Sequence, residues 1–155
     1  MRFVYYTLFV LTLGLANRAE AGINSNPELY IKTTIHGDFD EITNKVKALL
    51  KEQGFSVITE IDMDKKLNEK LDVDVRPYRI LGVCNPGYAY ETLQIDDNIG
   101  VFLPCKIVIK QLDDNQIEVV SVNPSQLMQM MGDEALTRVA DQVTVKLKHV
   151  IDQLD

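Results

Sequence analysis

An α+β fold is what this sequence predicts: an antiparallel sheet of about five strands with helices packed on one face. Three observations carry it. Two segments, 38–53 and 136–154, place apolar residues at helical spacing. Five others alternate or run apolar over strand lengths. Their order along the chain is β-α-β-(α)-β-(α)-β-β-α, in which strands mostly follow one another, as in antiparallel sheets.

The elements follow in order. Residues 28–35 alternate, with Ile31, Thr33 and Ile35 on one face, and Gly37 ends the strand. Asp38 with Glu41 three residues on forms a capping box. Phe39, Ile42, Val46, Leu49 and Leu50 then mark a helix that Gly54 stops. Phe55, Val57, Thr59 and Ile61 alternate as a second strand, and lysine-rich 63–71 reads as a short exposed helix. Tyr78 to Cys84 is apolar on both faces, the mark of a central strand. Asn85-Pro86 supplies an N-cap and first-turn proline for a helix to Ile95, with Ala89, Thr92 and Leu93 turned inward. A fourth strand is expected over 100–112, interrupted at Pro104. Asp113-Asp114-Asn115 turns it into a hairpin with 116–122. Residues 124–131 suit a short turn or helix. Leu136, Val139, Val143, Leu147, Val150, Ile151 and Leu154 mark the last helix.

The N-terminus reads as a removable export signal. Arg2 gives a positive start, residues 4–16 are mostly apolar, and Ala19-Glu20-Ala21 fits a cleavage site. The apolar run is shorter than the roughly 20 residues a membrane span needs. Cleavage after Ala21 predicts a periplasmic or secreted single domain over residues 22–155, its core about 29–154. Removing residues 1–21 takes away Arg2, Arg18 and Glu20 and leaves 14 basic against 22 acidic side chains, a formal charge of −8. A chain this acidic lacks the footprint of a nucleic-acid binder and suits an anionic membrane surface poorly.

Residues 39–154 resemble the domain of unknown function 302 family. The resemblance rests on Glu60-Ile61-Asp62, on LNEKLDVDVRPYRILGVCNP from Leu67 to Pro86, and on IGVFLPC from Ile99 to Cys105. It implies a TBP-like α+β fold and a tendency to form homodimers. It implies no established enzymatic activity.

Cys84 ends one strand and Cys105 begins the next, so antiparallel pairing brings both to one end of the sheet. Three readings stay open for the pair. An oxidising compartment favours a disulfide, worth roughly 3 kcal/mol for a loop of about 20 residues. Burial as inert thiols is the second. The third is a redox-active or soft-metal pair, since Cys84 precedes a helix N-terminus that lowers thiol pKa and two thiolates suit a soft ion. Two ligands fall short of a closed zinc site, and His36 and His149 stand at no ligand spacing from them. Asp62-Met63-Asp64 and Asp72-Val73-Asp74 lack the glycine a calcium loop requires and read as solvated charge. Met128, Met130 and Met131 read as gap-fillers.

Arg76, Tyr78 and Asn85 are the remaining ligand-binding candidates. Arg76 is expected to pair internally with Glu60 or Asp62, or else to hold an anionic ligand. No nucleophile elbow, phosphate loop or cofactor motif is present in the sequence. The functional expectation is a non-enzymatic, homodimeric module binding a small ligand or a partner protein, with no cofactor. The alternative is a thiol-based redox or soft-metal protein using Cys84 and Cys105.

Overall fold

The computed structural model describes residues 29–154. The proposed signal segment lies outside them. Strands β1 (Tyr30–His36), β2 (Ser56–Asp62), β3 (Tyr78–Cys84), β4 (Cys105–Asp113) and β5 (Gln116–Val122) form one antiparallel sheet in the order β1-β5-β4-β3-β2. Helices α1 (Phe39–Glu52) and α5 (Glu134–Asp152) are the two long ones; α2 (Met63–Leu71), α3 (Pro86–Ile95) and α4 (Pro124–Met131) are short.

Alternation along each strand sends one set of side chains under α1 and α5. Leu81 and Val83 of β3, Ile107 and Ile109 of β4, and Ile117 and Val119 of β5 meet Val46 and Leu50 of α1 and Leu147 and Val150 of α5 in one cluster. Each such side chain withdrawn from water contributes about 1.5–3 kcal/mol. A smaller cluster of Ile99, Met128, Leu136 and Ala140 sits beyond it. The helices start where the sequence caps them. Asp38 accepts hydrogen bonds from the Asp40 and Glu41 backbone N–H groups at 2.9 and 3.0 Å, and Asp133 accepts from Leu136 at 2.9 Å. Gly54 takes φ +82° just past α1, a conformation that costs glycine nothing.

The α+β prediction holds, and most elements fall where expected. Three details differ. Residues 100–102 are not strand but the end of a 3₁₀ turn, Asp97–Phe102. Asp96 initiates that turn by accepting from the Asn98 N–H at 2.9 Å, and Val101 stands 84% exposed although its apolar run resembled a core strand. In α3, Leu93 faces solvent, and Tyr88 packs inward in its place. Of the three methionines only Met128 fills a gap; Met130 and Met131 are exposed. Among the described residues no helix is long and apolar enough to cross a membrane.

Candidate functional site

The last ladder pair between β3 and β4 is Val83 with Cys105, so Cys84 stands one step diagonal to Cys105 at the sheet's end. The chain between them, α3 and the 3₁₀ turn, folds back over that end. Asn85 fixes the turn from strand to helix: its Oδ1 accepts from the Gly87 and Tyr88 N–H groups at 3.1 and 3.4 Å. Residue 86 is the first-turn proline that leaves no donor wanting there.

A cavity of about 70 Å³ lies under this cap, with lining residues drawn from both core clusters. Phe55, Val83, Cys84, Asn85 and Cys105 line it from the sheet side. Tyr88, Ala89, Thr92, Ile99 and Phe102 line it from the cap, and Met128, Val139 and Val143 from α4 and α5. Two of its polar lining groups are already engaged. Asn85 caps α3, and Thr92 donates its hydroxyl to the Tyr88 and Ala89 carbonyls at 3.1 and 3.0 Å. The cavity therefore offers an incoming group an apolar wall with two sulfurs in it.

Both cysteines are free thiols; the bridge among the three expectations is not formed. Burial pushes the Cys105 thiol up to about 11, with the charge of Cys84 adding to the effect. Burial raises Cys84 as well, against the lowering expected from the helix N-terminus. Desolvation outweighs the dipole here, and at neutral pH the pair is protonated. Among the described residues no group of three or more His, Cys, Asp and Glu side chains is placed to hold a metal ion.

The family model described as "Domain of unknown function DUF302" matches residues 31–154. The chain belongs to the DUF302 family. A crystal structure of an uncharacterised conserved DUF302 protein from Bacillus stearothermophilus is similar to it, with 30% identity and a TM-score of 0.76. The match covers 82% of this chain and 98% of that one. No curated protein matches.

Of the sequence candidates for ligand binding, Asn85 lines the cavity of this DUF302 domain, and Tyr78 and Arg76 do not. Tyr78 opens β3 and Asn85 follows its end, about 20 Å away at strand rise. Arg76 is exposed in the segment before β3, and among the described residues it has no ion-pair partner. The ion pair expected of Arg76 is made by Arg79. Its Nε lies 2.7 Å from Asp62 Oδ1 and 3.3 Å from Glu60 Oε1, and its Nη1 lies 3.0 Å from Asp40 Oδ1. The guanidinium also stacks 5.1 Å from the Phe39 ring centroid. Hydrogen bonds from Lys65 and then Arg79 hold the Asp62 carboxyl below its ordinary range. The reason for the correction is register. Arg79 shares a face with Leu81 and Val83, so it points under α1 and needs carboxylates there. That alternation is visible in the sequence and identifies Arg79 as the residue that must be paired.

Proposed function

We propose that this DUF302 domain is a non-enzymatic binding module that takes a small apolar ligand, or the apolar end of a larger one, into the cavity beneath α3. The observation that carries this reading is a predominantly apolar wall in which the Asn85 side-chain oxygen and the Thr92 hydroxyl are already hydrogen-bonded. At about 70 Å³ the space is roughly half the 150 Å³ that accommodates benzene in an engineered cavity. A short alkyl group is the matching size. Methyl NMR under xenon pressure tests it. Met128 and Val143 methyl resonances should shift, and Ala89→Leu, which fills the space from the cap, should abolish the shift. Unmoved methyls in the wild-type protein would refute it.

The module acts as a homodimer after export and removal of residues 1–21. The surface that suits self-association is the outer side of the cap. Tyr90 and Leu93 of α3, Val101 and Phe102 of the 3₁₀ turn and Met130 of α4 are exposed; α4 carries no charge, α3 carries only Glu91, and Asp96 and Asp97 open the turn between them. An acidic chain meets least self-repulsion on such a face. Sedimentation at tens of micromolar should give a dimer that Val101→Glu dissociates; a wild-type monomer would remove this part. Mass spectrometry of exported protein should find Gly22 as the first residue.

Thiol chemistry is the second reading, and the observation in its favour is that Cys84 and Cys105 line one cavity. The raised pKa values weigh against a thiolate nucleophile at neutral pH. A native thiol count near two, with metal analysis and no reversible oxidation, would dispose of it.

A further inference from the structure

We infer that the face of the sheet opposite α1 and α5 docks an acidic amphipathic helix of a partner protein. This goes beyond the cavity reading and rests on a different surface. The register brings Ile61, Ile80, Val108 and Val120 into one row across β2, β3, β4 and β5. All four point away from α1 and α5, and none belongs to either core cluster. Three interstrand steps make the row about 14 Å long, room for two turns of helix at about 11 Å.

The charges flanking the row select the occupant. Lys106 and Lys110 share this face with Val108 and stand on either side of it, four residues apart along β4. That separation is about 13 Å, and a helix with its side chains is about 10–12 Å across. Lys32 ends the row beyond Val120. The carboxylate this face carries on the central strands is Glu118, held at 2.7 Å by Lys110 and 3.3 Å by Lys32. Three lysines against one glutamate make a basic face on a chain of net charge −7. A second copy presenting the same face would meet like charge, whereas a helix with an apolar stripe and acidic flanks satisfies both the row and the lysines. The domain is then a two-layer structure that receives its third layer from the partner.

The probe is a synthetic 14-residue helical peptide with a leucine stripe and glutamate flanks, compared with a twin carrying lysine flanks. The readout is the methyl NMR spectrum of the full mature chain. The glutamate peptide should shift the Ile61, Ile80, Val108 and Val120 methyls, and raising salt from about 50 to 500 mM should weaken it at least tenfold. Lys106→Glu should weaken it about tenfold, with Lys32→Glu as a second variant should the first fail to fold. The lysine twin should bind at least tenfold more weakly. Unmoved methyls, or equal binding by the two peptides, would overturn the inference. So would shifts that follow the protein's own concentration, which assign the face to a second copy. Shifts produced only by phosphatidylglycerol vesicles would also overturn it, assigning the face to lipid.

Discussion

Replacing Arg79 by methionine should cost this domain about 2 kcal/mol, while replacing Arg76 the same way should cost almost nothing. The Arg79 side chain is only 15% exposed, and it gathers Asp40, Glu60 and Asp62 within 3.3 Å. Breaking a fully buried ion pair costs about 3–5 kcal/mol, and an exposed pair is worth about 0–1. Here the cation is shielded, but its carboxylates are 30–75% open to water, which sets the value between those limits. Methionine keeps an apolar stem against Phe39, so the loss reports on charge more than on packing. For a domain of this size about 2 kcal/mol lowers Tm by roughly 8 °C. The pH dependence sharpens the test. The folded-state pKa of Asp62 is depressed, so its contribution is present above the unfolded value near 3.8 and disappears as pH falls through the folded one. The gap between wild type and Arg79→Met should therefore narrow between pH 5 and pH 2. Urea denaturation of wild type, Arg79→Met and Arg76→Met across that range measures it. A loss below about 0.5 kcal/mol at pH 7, or one that stays constant down to pH 2, refutes the ion-pair account.

Other perturbations have equally definite outcomes. Gly82→Ala should destabilise by at least about 2 kcal/mol in chemical denaturation. Its Cβ would collide with Thr59 Oγ1 and come within 2.7 Å of Pro104 Cγ, and Thr59→Ala should restore part of the loss. Asp38→Ala should cost about 1 kcal/mol and fray the start of α1 in hydrogen exchange, because two backbone donors lose their acceptor. Stability should fall as pH rises from about 9 toward 11. Cys105 has its folded pKa raised to about 11, so it favours the fold while protonated and ceases to as the solution approaches that value; Cys105→Ala should flatten this limb. Thiol reagents should label the native protein slowly at pH 7 and both cysteines at once in denaturant.

How much of this was readable in the chain depends on what each residue's neighbours contribute. The helices α1 and α5 were legible because their apolar positions recur at 3.6-residue spacing and polar caps bound them, all within one local segment. The hairpin β4–β5 was legible for the same reason. The stretch 100–102 was misread because Val101 and Phe102 have strand-like side chains, while the local cap at Asp96 decides the backbone. Charge alone does not distinguish Arg76 from Arg79; the face each occupies does. Two-residue alternation from Leu81 and Val83 singles out Arg79, and the cross-strand partner Asp62 then follows from register. The cavity was beyond reach of the sequence. Its wall needs β3, β4, α3, α4 and α5 together, and no local pattern records that two clusters of side chains meet imperfectly.

The same cavity reverses the chemical reading of the cysteines. Sequence position places Cys84 before a helix N-terminus, where a dipole of about half a charge favours thiolate. That argument assumes an exposed sulfur. In the fold the wall around both sulfurs is mostly apolar, and burial together with the charge of Cys84 opposes ionisation of Cys105 more than the neighbouring Lys106 ammonium favours it. The dipole acts over one turn and is worth about a kcal/mol, whereas desolvation of a buried thiolate exceeds that. Antiparallel pairing does bring the two cysteines to one end of the sheet, as their positions in the sequence imply. The environment they create by meeting there is one in which a protonated sulfur is the stable species.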